Sequence, residues 1–255
     1  VSGQIQSLSL QWAGDISQAH DIHGHIEASK LHIPSGQNPD EHWPGLEGGE
    51  LDARFEPEGG QARLSMPHGG WLSLPGWLEE SQVPVQRLQA ELQWKKKDGL
   101  WHLPQWRVQL QNEDLQGQAQ GQWQASETGP GTLDLKAHVE KARADRVHRY
   151  LPVSLPQDVR HYVRDSVQRG QVSNVQIRVR GDLARVPMRH VQDGEFRFAG
   201  QMHDVDLAYV PANLLPKGSP PWPTLQGLQG QLVFERQGMQ VRTASARIGD
   251  ARQPV

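Results

Sequence analysis

Cysteine is absent from this chain of 255 residues, which excludes a disulfide framework and a cysteine-rich metal site. No apolar run approaches the roughly 18 residues that indicate a membrane-spanning helix. The net charge is -3, so the positive excess typical of nucleic-acid binding is missing and we expect no nucleic-acid partner. No signal peptide begins at Val1, and a strand-like pattern starts at once. We therefore expect the chain to be a section of a longer protein.

What the chain does have is regular alternation of apolar and polar residues. Apolar residues make up only 36% of it, but Leu8, Leu10 and Trp12 fall on one face of an extended segment, with polar residues between them. The same period of two recurs along the first 140 residues and predicts half-buried strands. Asp98-Gly99 predicts a hairpin turn. The segments 34–44 and 66–84 are interrupted by Pro and Gly and are predicted to be loops.

Glycine recurs within the predicted strands, each time after an apolar residue and a spacer, at Gly24, Gly117, Gly200 and Gly230. Glycine inside a strand is typical of a bulge or bend. Many bent strands of similar type favour a sheet that coils along an axis over a small closed barrel.

Helical periodicity is confined to residues 141–169. Ala144, Val147 and Leu151 lie near one face of a first helix. A second helix is predicted to begin at Pro156 and to end at Gly170. Its apolar stripe, at helical spacing, is expected to dock on the sheet; it consists of Val159, Tyr162, Val163 and Val167.

These patterns define the expected fold class. It is mainly β: an elongated, curled antiparallel β-sheet that forms an open groove, with a two-helix insertion around 141–169. Residues 1–140 form one groove segment, 141–169 a helical hairpin, and 170–255 a second groove segment that continues the same sheet.

Candidate chemistry in the sequence is sparse. His23 and His25 could present two imidazoles on one strand face, as some metal sites do, but that face is expected to be solvated and no metal is predicted. The carboxylate pairs of the kind that glycosidases use fall in predicted turns; they are Asp40–Glu41, Glu79–Glu80 and Glu113–Asp114. No Gly-x-Ser-x-Gly elbow or phosphate-binding loop is present. We therefore expect no enzyme activity and no cofactor.

A series of motifs in residues 143–249 resembles one known family. The motifs are the helical pair with Tyr150-Leu-Pro, then Arg180-Gly-Asp-Leu183, Gly194-Glu-Phe196, Tyr209, Trp222-Pro223 and Gly238-Met239. Together they resemble the YhdP family, part of an AsmA-like group of envelope proteins that are similar to bridge-like lipid transfer proteins. The family often has aromatic-Pro-aromatic where this chain has Val186-Pro-Met188, and the first 140 residues agree only in pattern.

The resemblance implies a segment of a long periplasmic protein that is anchored in the inner membrane by parts outside this chain. Family members resemble elongated β channels with an apolar groove and are implicated in phospholipid movement between the inner and outer membranes of Gram-negative bacteria. The expected partners are phospholipid acyl chains, with membranes contacted through the rest of the protein.

For Val179, Phe196, Phe198, Leu207, Leu232 and Phe234, shared parity within each predicted strand segment places the residues on one apolar face, with Leu207 in a segment of its own after Gly200. In all, nine apolar residues are predicted to line such a groove. These residues are Ile177, Val179, Phe196, Phe198, Met202, Leu207, Leu232, Phe234 and Val241. The alternative is a carbohydrate- or protein-binding β-sandwich, whose strands would alternate in the same way around a filled core.

Overall fold

The computed structural model of this chain describes residues 1–15, 20–36, 43–236 and 238–249. Strand accounts for 64% of the structure, which confirms the mainly β prediction. The strands, in chain order, are β1 (Ser2–Ala13), β2 (His20–Ile33), β3 (Gly45–Glu56), β4 (Gly59–Met66), β5 (Gly70–Ser73), β6 (Gln82–Val85), β7 (Arg87–Lys97), β8 (Leu100–Gln111), β9 (Leu115–Gln124), β10 (Thr132–Arg143), β11 (Val167–Asp182), β12 (Gly194–Leu207), β13 (Leu225–Glu235) and β14 (Gly238–Ile248).

All fourteen strands belong to one antiparallel sheet that does not close into a barrel. Strands β1 to β4 and β7 to β14 lie side by side in the order in which they occur along the chain, so the sheet is a long meander. The short β5–β6 hairpin leaves this path and pairs with β3. Each long strand therefore needs only its neighbours in sequence to satisfy its backbone hydrogen bonds.

Among the described residues no second sheet covers the middle of this one, although apolar side chains of β8 and β10 such as Val108 and Leu135 pack in part against neighbouring buried clusters. Strands β8, β9 and β10 contain half-buried and exposed residues but no buried one. In a filled sandwich the inner face of the central strands is packed against a second sheet. The sandwich alternative is therefore wrong for the fold, and the apolar face of these strands is accessible to solvent.

In the described part of the chain, buried residues form three local clusters rather than a single core. One lies under the β5–β6 hairpin and is built around Met66, Val85 and Leu88. The second lies at the start of β11, where Ala144 packs with Met202. The third lies at the other end of β11, around Met188. The sheet is thus stabilised at its margins by short segments that fold over it.

The helical insertion is shorter than the sequence pattern predicts. A 3₁₀ helix spans Ala144–Tyr150, and the α-helix α1 spans Gln157–Ser166. The chain returns to extended structure at Val167, and Gly170 lies inside β11 with a φ of +114°. The predicted helix end near 169 is therefore wrong, because Val167 packs against the cluster around Ala144 as part of a strand, and this contact overrides helical propensity.

The predicted docking of the apolar stripe on the sheet is also wrong for two of its members. Val159 and Tyr162 of α1 are 44% and 39% exposed. The Tyr162 hydroxyl donates a hydrogen bond to the carbonyl of Tyr209, 3.0 Å away. This face of α1 thus lies beside the loop after β12 and remains accessible to solvent.

The segment 66–84 is not the simple loop that its Pro and Gly content predicts. It contains β5 and most of β6, and Val83 is buried. Trp71 and Pro84 are paired across this hairpin, in keeping with the tolerance of proline on strands at a sheet margin. For the other predicted loop, residues 37–42 lie outside the described part of the chain.

Candidate functional site: an open apolar face

One row of apolar side chains crosses the whole sheet on a single face. Directly paired residues of neighbouring antiparallel strands point to the same side, so the strand register defines the row. It takes one residue from each strand of the meander: Ile5, Ala28, Leu51, Leu64, Ala90, Val108, Ala119, Ala137, Ile177, Phe198, Phe234 and Met239. We call it the central apolar row.

A second row runs beside the first on the same face. It extends from β1 to β12 and consists of Leu8, Ile26, Ala53, Ala62, Leu92, Trp106, Gly121, Leu135, Val179 and Phe196. We call it the flanking row. The two rows form a continuous apolar strip that runs across the strands, and every member of both rows is an uncharged residue.

Two bulges keep the apolar residues of β11 and β12 on this face. Asn174 and Asp204 adopt positive φ values of 52° and 50°, and the strand register shifts at both places. A bulge inserts one residue and so reverses the parity of the residues after it. As a result Met202 and Val205, three positions apart, belong to the same buried cluster.

The nine residues predicted to line the groove all lie on this face. Ile177, Phe198 and Phe234 are in the central apolar row, and Val179 and Phe196 are in the flanking row. The others are brought there by the strand register or by packing in the cluster around Met202: Met202, Leu207, Leu232 and Val241. That they contact lipid stays a prediction.

Three of the nine are covered in this conformation. Met188, which is 0% exposed, packs on Val179 and Phe196 from the loop between β11 and β12. Ala144 of the 3₁₀ helix packs with Met202. The two covers lie at opposite ends of β11, so they flank the open strip from its two sides without closing over the central strands.

Sequence reasoning predicted a groove segment in residues 1–140 but named no lining residue there. The motifs that carried the resemblance lie in residues 143–249, yet the central apolar row continues without a break through Val108 and Leu64 to Ile5. The signal was present as alternation in every one of these strands. What the sequence lacked was the register that aligns them.

The opposite face of the sheet is polar and carries both signs of charge. Arg63 and Glu91 form an ion pair of 3.3 Å on neighbouring strands. Arg178 donates a hydrogen bond to Asp134, and this bond above all lowers the pKa of Asp134 below its ordinary 3.8. A depression of about 210 Å³ on this face is lined by charged residues such as Arg54 and Glu91. It is unsuited to an acyl chain.

The histidine pair lies on this polar face, as expected. His25 Nε2 is 2.8 Å from Asp52 Oδ1 and 3.6 Å from Glu27 Oε1, while His23 is near Asp21. The strand register brings Asp52 to His25 from a distant part of the sequence, a partner that spacing alone could not reveal. The ligand atoms of His25, Glu27 and Asp52 all lie within 4.8 Å of one another, close enough to hold a metal ion; that the histidine pair binds no metal stays a prediction.

A buried polar network fixes the helical segment to the margin of the sheet. Asp114, 6% exposed, accepts hydrogen bonds from Arg149 Nη1 at 2.6 Å and from the Tyr150 hydroxyl at 3.0 Å. Asn112 Nδ2 donates to Tyr150 and to the carbonyl of Pro84. Burial raises the pKa of Tyr150 to about 12, so its hydroxyl keeps its proton and remains a donor.

The predicted carboxylate pairs serve this same attachment. Glu80 accepts from Arg149 at 2.7 Å, and Glu79 accepts from Arg160 and His161 at 3.1 and 2.8 Å. The hydrogen bonds from His161 and Arg160 lower the pKa of Glu79. Glu113–Asp114 contributes Asp114 to the network, and Asp40–Glu41 lies outside the described residues. In the described pairs Glu79, Glu80 and Asp114 each accept a hydrogen bond from an arginine.

These features define a class of protein: a single open antiparallel sheet with one continuous apolar face and one polar face. Comparison with known protein families finds a match to the family described as YhdP protein over residues 1–253. The chain therefore belongs to the YhdP family, a family of AsmA-like bacterial envelope proteins. No curated protein and no solved structure matches the chain. No helix among the described residues is long and apolar enough to cross a bilayer.

Proposed function

We propose that this chain is a segment of a periplasmic lipid-transfer protein whose apolar sheet face shields phospholipid acyl chains between the inner and outer membranes. The observation that carries the proposal is the central apolar row, which has a member in every strand of the meander. The strip runs from one edge strand to the other, as a path for a chain-like ligand must. Anchoring in the inner membrane, through parts outside this chain, belongs to the same proposal.

The energetics favour such an open face. An acyl chain in water costs about 0.8 kcal/mol per methylene, so a chain of 16 carbons costs on the order of 12 kcal/mol. An apolar strip removes the part of this cost that belongs to the side of the acyl chain lying against it, while the polar face keeps the sheet hydrated. Transfer also needs similar affinity at each point, and the row offers that through repeated small and medium apolar side chains such as Ala90, Val108 and Ala119.

The test places a charge on the strip. Phe198 is half-buried beside Phe196, their ring centroids 5.1 Å apart. In Phe198→Asp the carboxylate must be desolvated whenever an acyl chain passes, at a cost of several kcal/mol, and each 1.4 kcal/mol slows passage about tenfold. Since the site is open, the carboxylate stays partly hydrated in the free protein and the fold should survive.

The measurement is paired with a control on the other face of the same strand. Vesicles containing a phospholipid with a diazirine in its acyl chain are illuminated with the protein, and the adducts are mapped by mass spectrometry. We expect adducts along the central apolar row in the native chain, their loss around Phe198 in Phe198→Asp, and no change in Gln201→Asp, where Gln201 is exposed on the polar face. Absence of adducts from the row of the native chain would overturn the proposal.

A further inference from the structure

Three aromatic rings on the apolar face lean over glycines of neighbouring strands. Phe55 is paired with Gly24, Trp94 with Gly60 and Trp106 with Gly121. A Cβ added to Gly24 would lie 2.3 Å from Phe55 Cζ, and one added to Gly60 would lie 2.3 Å from Trp94 Cζ2. At Gly121 the corresponding distance to Trp106 Cζ2 is 2.9 Å. Each ring therefore occupies the space that any other residue's side chain would fill.

As a consequence, the aromatic rings lie close to the sheet and the apolar face has few projecting side chains at these positions. A ring that leans across a glycine lies close to the sheet, whereas the same ring beside a larger residue must turn outward, into the space above the apolar strip. Covering a strand glycine with a cross-strand aromatic ring also shields the exposed backbone. On this face the pairing recurs in three places within β2 to β9, where the β5–β6 hairpin packs against Leu64 and Val108.

We propose that Gly24, Gly60 and Gly121 determine how much free space lies above the apolar face. They are therefore determinants of which acyl chains fit there. The inference rests on the proposed lipid function and adds to it a steric rule: the glycine of each pair, rather than the ring, decides how much space a lipid chain has. Diacyl phospholipids need room for two chains side by side, and raised rings would leave room for less.

Gly24 offers the cleanest test of the three. The nearest atoms that its added Cβ would meet all belong to side chains, Phe55 and Leu10, whereas at Gly60 and Gly121 backbone carbonyl oxygens also lie within 2.5 Å. Its φ is not in the left-handed region. Gly24→Val should therefore fold, since the flexible end of Phe55 can move, and the Phe55 ring should turn away from the sheet.

The experiment uses diazirine-bearing diacyl phospholipid in vesicles and maps adducts on this chain. In Gly24→Val we expect adducts on β1 to β3 to fall roughly tenfold, which corresponds to about 1.4 kcal/mol and to lost contact with about two methylenes. Adducts around Ile177 should not change. In Gly24→Val/Phe55→Ala the obstructing ring is gone, and adducts on β1 to β3 should return.

One control variant, together with the double variant, separates the possible outcomes. Gly238→Val adds the same bulk where the new Cβ would meet only a carbonyl oxygen at 3.6 Å, and it should leave adducts on β1 to β3 unchanged. If the native chain forms adducts but Gly24→Val forms as many on β1 to β3, or the double variant fails to recover them in a folded protein, the glycine rule is wrong and the lipid function stands. A native chain without adducts overturns both.

Discussion

Arg149 illustrates how a single residue holds a margin of the sheet in place. Its guanidinium is shared between Asp114, which is buried, and Glu80, which is half-exposed. Replacing Arg149 by Met leaves the Asp114 carboxylate in a buried site with only the Tyr150 hydroxyl and its local backbone contacts. Removing one partner of a buried ion pair costs about 3–5 kcal/mol, so Arg149→Met should lower the free energy of unfolding by about that amount in urea denaturation.

The matched control is an ion pair that stays in water. Arg63 and Glu91 are 75% and 60% exposed, and such pairs contribute about 0–1 kcal/mol. Arg63→Met should therefore change stability little. Equal losses in the two variants would mean that Asp114 is not buried as the structure has it.

Asp134 gives the chain a dependence of stability on acid pH. Its hydrogen bond from Arg178 lowers its pKa in the folded state below the ordinary 3.8. A depressed folded-state pKa means that the ionised carboxylate stabilises the fold above the unfolded-state value, and that this contribution is lost as the pH falls through the folded-state value. Asp134→Asn should thus be less stable than the native chain at neutral pH, and the difference should shrink below about pH 4.

Urea unfolding of both proteins at neutral pH and at about pH 2.5 measures this difference. The same comparison in an Arg178→Met background should show a smaller difference at neutral pH, because the main donor is gone while Arg180, 3.8 Å from Asp134, remains. A gap between Asp134→Asn and the native chain that does not narrow in acid would contradict the assignment.

At the scale of elements, the helical segment and the β5–β6 loop are joined across the margin of the sheet. Leu78 and Pro152 form an isolated antiparallel bridge, and the backbone N–H of Val153 donates to the carbonyl of Trp77 at 3.0 Å. Bridge partners have Cα separations of about 4.5–5.5 Å, within the range that a disulfide accepts. Because the chain has no cysteine, Leu78→Cys/Pro152→Cys should form one intramolecular disulfide.

The disulfide is detected by peptide mass spectrometry under non-reducing conditions after mild oxidation. Each single cysteine variant serves as a control for intermolecular products. A pair that stays reduced, although both thiols react with a small alkylating reagent, would show that loop and helical segment are not held together in solution.

The elements that sequence predicted well are those that local rules define. The alternation of Leu8, Leu10 and Trp12 correctly predicts a strand. Asp98-Gly99 forms the predicted hairpin turn, with both residues at positive φ, as a two-residue hairpin turn requires. The failures occur where a distant contact decides. The spacing of Val167 predicts helix, but the residue lies in a strand. Asn174 and Asp204 shift the strand register at positions where no glycine indicates a bulge.

The candidate site was likewise predictable only where local alternation defines it. Parity within a strand places Phe196 and Phe198 together, but the bulge at Asp204 is what puts Leu207 on their face, and parity alone would have put it on the other. The cover formed by Ala144 depends on Met202, 58 residues further along the chain, and Met188 meets Val179 and Phe196 only because β11 and β12 pair on either side of its loop. No local pattern encodes such contacts.

At the scale of the whole molecule, the stability of each strand in the meander depends mainly on the strands directly beside it. Each long strand is held mainly by the two beside it, as in repeat proteins, where stability is approximately a sum of local and nearest-neighbour contributions. Two of the three buried clusters lie on β11 and β12. We therefore expect a gradient of stability that falls from this region towards both edges of the sheet.

Hydrogen–deuterium exchange of this chain tests the gradient. The edge strands β1 and β14 each have one neighbour, and their residues are exposed throughout, apart from the half-buried Ser7. Amides that open by local fraying exchange at low free energy, whereas those in packed strands approach the global value. Peptides from Ser2–Ala13 and Gly238–Ile248 should exchange fastest among the strands, those from β11 and β12 slowest, and β8 to β10 at intermediate rates. Uniform protection from β1 to β14 would mean that the sheet unfolds as one unit and would contradict the gradient expected from nearest-neighbour contacts.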